Sequence, residues 1–265
     1  NPPYSIGQKS ANDNAQNQSY PTLDERVAKT YQESSNANLT KALYDSYIKA
    51  FRWASDRIPQ DEGGIVAFIS NGSWLDGNAQ DGFRRCLERE FSSIYVFNLR
   101  GNQRTSGELS RKEGGKIFGS GSRTPIAITF LVKNPADRTG KAEIFYHDIG
   151  DYLTREQKLK IISDFGSIDN IPWETIIPND KADWINQRDG VFDTLIPIEP
   201  EKKFVPASHS FFSTYAIGVA TNRDAWVTGF SEKAVSQNVK SCLSFYDEQR
   251  KGIKKGTLDE LSKDE

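Results

Sequence analysis

Methionine is absent from this chain of 265 residues, and cysteine and histidine occur only twice each. A chain of this size ordinarily carries several methionines, and positions lost from the sequence would shorten the numbering, so helical phases are read only over short stretches. Cys86 and Cys242 lie far apart, and His147 and His209 sit near neither of them, so no metal-ligand spacing is present and no metal is expected. No run approaches the ~20 apolar residues of a membrane span, and no succession of charged, apolar and small residues marks a signal peptide. The expectation is a cytoplasmic protein without a membrane partner. A dominant charge is missing too. The net charge of −2 leaves any nucleic-acid contact to a local patch rather than to a basic surface overall. What remains is ordinary: 265 residues, 36% of them hydrophobic, suffice for one large domain or two smaller ones with real cores.

The stretch from Ser5 to Asn38 is polar, rich in Asn, Gln and Ser, and shows neither period, so it reads as a long loop. From Leu39 to Ile58 the apolar residues Leu43, Tyr44, Tyr47, Ile48, Phe51, Ala54 and Ile58 form the stripe of an amphipathic helix ending before Pro59. The run Ile65 to Ile69 follows Gly63 and Gly64 and reads as a strand buried on both faces of a parallel sheet. A helix "DGFRRCLEREF" with Phe83, Leu87 and Phe91 inward, then a strand from Ile94 to Leu99, continue a doubly wound rhythm. Strands "IAITFLVK" and "AEIFYHDIG" and a helix "TREQKLKIISDF" capped by Thr154 complete the regular part. After Phe165 the pattern weakens into Trp- and Pro-bearing segments, ending in a helix around Ser231 to Arg250 and a charged tail.

Against this rhythm the opening "NPPY" (Asn1, Pro2, Pro3, Tyr4) is either an ordinary turn or a motif at the carboxyl end of a strand, where open α/β sheets bind ligands. Ser70, Asn71, Gly72 and Trp74 follow the apolar run at the same edge; they line a target or cofactor pocket, or, for Trp74, belong to the core. Between Arg100 and Arg123 six basic residues (Arg100, Arg104, Arg111, Lys112, Lys116, Arg123) oppose only Glu108 and Glu113. Mixed with Gly, Ser and Thr, they read as phosphate contacts or as a solvated basic loop. Thr221, Asn222 and Arg223 occupy a turn-like segment, and Asn and Arg are the residue types that read adenine and guanine edges.

Asn1 to Tyr4 resemble the catalytic motif of S-adenosylmethionine-dependent amino-group methyltransferases, chiefly the DNA adenine-N6 enzymes. The likeness extends through "LYDSYIKAFRWASDRI" and "GGIVAFISNGSWLDGNAQDGFRRCLEREFSSIYVFNLRGNQRTSGE", which are similar to the methyltransferase core of type ISP restriction-modification proteins and their helicase-fused relatives. The resemblance implies an α/β fold, the C-terminal half of a Rossmann-like methyltransferase sheet, over residues 1–150. Residues 151–265 would form a less regular α+β linker and target-recognition or accessory region. It implies double-stranded DNA as partner, a bacterial source, and methyl transfer to a flipped adenine. In that chemistry Asn1 and the Pro2 carbonyl accept from the adenine amine, Pro2 and Pro3 hold them aimed, and Tyr4 stacks on the base. The cofactor-binding half that precedes such a motif is not in the sequence, so the expectation is an incomplete S-adenosylmethionine pocket and a fragment inactive without the N-terminal half of its polypeptide. A permuted arrangement with "KIFGSGSR" as cofactor turn fails on placement, since those glycines precede a strand instead of following one. A DNA-recognition module without catalysis, and an amino-group methyltransferase acting on RNA or a protein glutamine, remain as alternatives.

Overall fold

The computed structural model describes residues 1–3, 19–118, 123–137, 139–191, 194–197, 210–212 and 224–254. It divides into two compact units, Asn1–Asp189 and Gly190–Glu265.

The first unit is a mixed α/β structure built on one five-stranded sheet. Strand β1 (Gly64–Asn71) leads through helix α3 (Asp81–Glu90) to β2 (Ser93–Arg100). Strand β3 (Ile126–Lys133) inserts between them and runs antiparallel to both, so β1 and β2 are parallel to each other. β4 (Glu143–Asp148) pairs parallel with β2, and the short β5 (Glu174–Ile176) closes the order β1-β3-β2-β4-β5 antiparallel to β4. Three parallel strands therefore deliver their carboxyl ends to one edge of the sheet.

Pleating sends neighbouring residues of each strand to opposite faces. Ile94 and Val96 of β2 join Val66 and Leu131 beneath α2 (Ser46–Ser55) and α3, while Phe97 and Leu99 turn to the other face beneath α5 (Arg155–Phe165). The first core is aromatic: Phe51 meets Phe68 and Phe83 edge-on, and Trp74 meets Phe83 and Trp184, each with centroids between 4.9 and 5.3 Å. Phe83, Leu87 and Phe91 are all buried, as their spacing predicts. Thr154 caps α5 through a capping box in which Gln157 N–H donates to Thr154 Oγ1 and Thr154 N–H donates to Gln157 Oε1.

Four local expectations change. The polar stretch before Asn38 contains helix α1 (Pro21–Val27), which continues as a π-helical turn over Ala28–Gln32. Its large apolar residues Leu23, Val27 and Tyr31 recur at every fourth position, and of these Val27 and Tyr31 are fully buried. Helix α3 approaches this turn closely at Gly82, where a Cβ would meet the Tyr31 carbonyl oxygen at 1.9 Å. The predicted helix Leu39–Ile58 breaks at Asp45, extended at φ −62° and ψ 144°, into a 3-10 turn Lys41–Tyr44 and α2; Asp favours such helix boundaries over interiors. β1 is not buried on both faces, since Ile65 is 64% and Ile69 40% exposed. The glycine-rich basic stretch carries a helix of its own, α4 (Gly107–Glu113), with no buried residue.

A buried ion network joins the helices. The Arg52 side chain, 3% exposed, pairs with both Glu90 oxygens at 2.7 and 2.8 Å and with Asp56 at 2.7 Å, beneath the Tyr31 ring. Arg26 reaches the same Asp56 from α1 at 2.6 Å.

In the second unit, the described residues form α6 (Asp224–Val227) and the long α7 (Glu232–Lys254). α7 begins where the Ser231 Oγ accepts from Ala234 N–H at 3.4 Å. Among the described residues no helix is long and apolar enough to cross a membrane.

Candidate functional site

The carboxyl ends of β1, β2 and β4 and the loops that follow them enclose a cleft of about 390 Å³ in the first unit. Its walls come from the turn after β1 (Gly72, Ser73, Leu75, Asp76), the exit of β2 (Asn98, Arg100, Asn102), the end of β4 (Tyr146, Asp148), Ile185 with Asn186, Glu113, and Pro125 just before β3. Open α/β sheets place ligands at this edge because strand ends and loops converge there.

A chain of polar contacts lines the β2–β4 wall. Asn98 Nδ2 donates to the Tyr146 hydroxyl at 3.0 Å, and that hydroxyl donates to Asp148 Oδ2 at 3.0 Å. Burial drives the Tyr146 pKa well above the ordinary phenol value, so it stays a hydroxyl donor. Arg100 adopts a left-handed backbone at φ 54°, with its N–H donating to Asn98 Oδ1 at 2.9 Å. Its guanidinium donates to Asp148 Oδ1 at 2.7 Å and to Asp151. Partial burial lowers the Arg100 pKa, and the two carboxylates outweigh that and hold it above the ordinary value. Arg100 is thus neutralised by acids from outside the basic stretch, which a count over residues 100–123 does not include.

The opposite wall is held by Arg84, which is fully buried. Its Nε donates to the Ala182 carbonyl at 2.6 Å, and Nη1 donates to the Trp74 and Gly77 carbonyls at 2.6 and 2.9 Å. One side chain so ties the turn after β1 to the loop that carries Asn186, whose Nδ2 then donates to Asp76 Oδ2 at 3.1 Å. Ala182 and Asn186 both have positive φ, 58° and 50°, a backbone uncommon for residues other than glycine.

Asp183, in the same loop, accepts from Arg188 Nε and Nη2 at 2.9 and 2.8 Å and from Asn179 Nδ2 at 3.1 Å. Burial alone would raise its pKa; the Arg188 and Asn179 bonds reverse that and hold it at about 2. A depressed carboxylate contributes stability that is present above its unfolded pKa of 3.8 and lost as pH falls through the folded value. We expect the chain to lose about 2 kcal/mol between roughly pH 4 and pH 2 from this group. Arg188→Met should remove that component in acid titrations followed by denaturant unfolding, and an unchanged acid profile would refute the assignment.

The residues singled out in the sequence are distributed as follows. Ser70 and Trp74 are fully buried and Asn71 is 6% exposed. The Trp74 ring packs on Phe83 and Trp184, and the Asn71 carbonyl oxygen Oδ1 accepts from Ser73 N–H at 2.9 Å. Their neighbours Gly72, Ser73, Leu75 and Asp76 form the cleft wall. In the basic arm, Arg104, Arg111, Lys112 and Arg123 are exposed and Lys116 is half-buried. Arg111 lies 3.4 Å from Glu108 and Lys112 3.9 Å from Asp151, both at well-exposed positions where such pairs are weak. Arg123 Nη2 donates to the Gln103 carbonyl at 3.1 Å, closing the base of the arm. Asn1 and Pro3 are exposed and Pro2 is buried, and none of the three is among the residues lining the cleft. Tyr4, Asn222 and Arg223 lie outside the described residues.

Lys49, Arg52, Arg84 and Lys158 are buried cations that the sequence pattern does not single out, and Arg84 and Lys158 among them support the cleft and the arm. Arg84 had one available signal. It precedes Leu87 and Glu88 by three and four positions on a helix whose other faces are also covered, so seven of its ten residues are buried.

Residues 210–263 match the family described as the Type ISP C-terminal specificity domain. Three solved structures are similar over nearly the whole chain. A nuclease-deletion mutant of the Type ISP restriction-modification enzyme LlaGI, in complex with a DNA substrate mimic, is 49% identical with a TM-score of 0.77, covering 95% of this chain and 20% of that one. The ATP-dependent Type ISP enzyme LlaBIII bound to DNA is 41% identical with a TM-score of 0.80, covering 93% and 16%. The DrdV–DNA complex is 35% identical with a TM-score of 0.76, covering 94% and 24%. No curated protein sequence matches. The chain is thus similar to Type ISP restriction-modification enzymes, and it spans between 16% and 24% of the length of the structures it resembles.

Proposed function

We propose that this chain is the DNA-recognition segment of a Type ISP restriction-modification enzyme. The observation that carries this reading is the match of residues 210–263 to a specificity domain. The likeness to enzymes solved on DNA or on a DNA mimic supports it further. With a net charge of −2, the chain needs a local cationic surface to hold a duplex, and the arm bearing Arg104, Arg111, Lys112 and Arg123 provides one. Arg104 forms no ion pair with a described residue, and Arg111 is paired only through an exposed contact to Glu108. Replacing Arg104 and Arg111 by Gln should weaken binding to every duplex alike and lower the slope of log K against log salt by about one per residue. A slope unchanged by both substitutions would remove the arm from the interface.

A second reading joins the first: the same segment serves amino-group methyl transfer to adenine. The likeness of Asn1–Tyr4 to an amino-group methyltransferase motif supports it, as does the parallel course of β1, β2 and β4 to one ligand-type edge of the sheet, although Asn1, Pro2 and Pro3 do not line the cleft at that edge. An adenine amine is a poor nucleophile, since its lone pair is delocalised into the ring. Acceptors aimed at its two N–H groups favour the tetrahedral nitrogen that attacks a methyl group. The Asn1 side-chain oxygen and the Pro2 carbonyl suit that role; buried Pro2 anchors the motif while exposed Asn1 presents its amide. Tyr4 would stack on the extruded base. S-adenosylmethionine, when bound, supplies the methyl group. The described residues present no glycine-rich turn of the G-x-G-x-x-G kind between a strand and a helix, and the cleft carboxylates Asp148 and Asp76 are already engaged, so its binding is assigned to none of them.

A further inference from the structure

We propose that Lys158 is a positioning residue that pins both ends of the basic arm to the sheet and so presents Arg104, Arg111 and Lys112 to duplex DNA. The inference rests on the reading of that arm as a DNA contact.

Lys158 sits in α5 with no exposed surface. Its ammonium donates to three backbone carbonyls: Leu99 at 2.9 Å, Glu113 at 2.7 Å and Gly115 at 3.0 Å. An ammonium has three N–H donors, and all three are used. Leu99 is the last core residue of β2 before the arm departs, and Glu113 and Gly115 are where it returns, so one side chain spans the arm's base. The strands and helices themselves do not need a charge here. An apolar stem would fill the same volume without the cost of burying a cation, a cost visible in a Lys158 pKa that burial pulls down to about 8. The charged groups facing it are Glu113 from the arm, Arg100 from β2 and Asp148 from β4, and no carboxylate forms an ion pair with it among the described residues.

The other holds on the arm are hydrogen bonds and not buried packing. α4 buries no residue, so no packed side chain of the helix fixes its direction. At the base Gly101 N–H donates to the Glu113 carbonyl at 3.1 Å, Asn102 N–H to Glu113 Oε2 at 2.9 Å and Gly115 N–H to the Leu153 carbonyl at 2.8 Å. Further along, Gln103 N–H donates to the Arg123 carbonyl at 2.9 Å, and Tyr152 donates its N–H to the Lys112 carbonyl at 3.1 Å and its hydroxyl to Glu108 Oε1 at 2.6 Å. Gly101, at φ 91°, passes so near the returning chain that a Cβ would lie 3.3 Å from the Gly115 carbonyl oxygen. Direction set at a pivot is lost over the whole arm when the pivot loosens.

The test compares the wild-type chain with Lys158→Met, Lys158→Arg and Gly101→Ala. Hydrogen exchange is read at the amides of residues 101–115, and affinity is read by anisotropy of a fluorescein-labelled mixed-sequence duplex. Lys158→Met removes three hydrogen bonds and should speed exchange at the arm by about tenfold or more, tenfold being the low end for losing even one charge-assisted bond, with a fall in DNA affinity of similar size. Lys158→Arg keeps the charge and donors but not the point geometry, so it should lose less in both readouts than Lys158→Met, which a stem that merely fills space would not require. Gly101→Ala disturbs the same closure without touching the charge and should loosen the arm likewise; it carries the test if Lys158→Met does not fold. Unchanged arm exchange in the folded variants would overturn the pivot. A loosened arm with unchanged DNA affinity would overturn its role in presenting cations to DNA while leaving the specificity assignment of residues 210–263 intact.

Discussion

Replacing Asn1 by alanine in the intact enzyme is expected to abolish methyl transfer while leaving DNA affinity nearly unchanged. The proposed role of the Asn1 amide is to accept a hydrogen bond that strengthens only as the amine nitrogen becomes tetrahedral, so its loss falls on the transition state. Removing a single preorganised hydrogen-bonding group of this kind costs on the order of 10²–10³ in rate. The Pro2 carbonyl would remain but could satisfy only one of the two amine hydrogens. Labelled S-adenosylmethionine supplied to the intact enzyme with duplex DNA measures the first quantity, and fluorescence anisotropy the second. Parallel loss of both would mean that Asn1 supports the fold or the complex instead of the chemistry. Methylation persisting at the wild-type rate would exclude the motif from catalysis.

Arg84→Ala is expected to destabilise the first unit by about 3–5 kcal/mol, the range for breaking a buried charge network by removing one partner. The carbonyls of Trp74, Gly77 and Ala182 would be left buried without their donor, and Asp183 would lose a cation 3.7 Å away. Lysine would not rescue the site, since a point charge cannot reach three carbonyls arranged around a planar fork. The loss should also disturb the cleft, because Arg84 ties the turn bearing Asp76 to the loop bearing Asn186. Denaturant unfolding of the variant measures the effect. A midpoint shift equivalent to less than about 1 kcal/mol would show that water or neighbouring donors replace the guanidinium readily.

Strands were the legible part of this fold. β3 occupies the eight residues its apolar run marks, and Thr154 forms the capping box that its sequence position suggests. What local pattern does not contain is which elements cover which. The run Ile65 to Ile69 reads as doubly buried, yet β1 borders only β3 within the described residues and leaves Ile65 and Ile69 exposed. Leu23, Val27 and Tyr31 are a short apolar series in a polar stretch, and only the last two are fully buried, so the helix they anchor draws its stability from packing more than from a long stripe.

The candidate site was legible at its edges and hidden at its supports. Position relative to strand ends drew attention to the stretch after β1, although burial turned Ser70 and Trp74 into the core and left Gly72, Ser73 and Asp76 on the cleft. Counting charge along the chain credited Arg100 to the basic arm. Asp148 and Asp151, which lie 48 and 51 positions after Arg100 in sequence, neutralise it in space. Arg84 and Lys158 look like solvated residues in their helices. Only the three-dimensional placement of carbonyls from distant loops makes them supports of the cleft and arm.

The most direct test of the account exchanges residues 190–265 in the intact enzyme for the corresponding segment of a Type ISP relative with a different target. The measurement is the consensus of duplexes recovered from a random pool on the purified, folded enzyme. If this chain carries DNA specificity, the recovered consensus will follow the exchanged segment. A consensus unchanged by the exchange, in an enzyme that still binds DNA, would contradict the account.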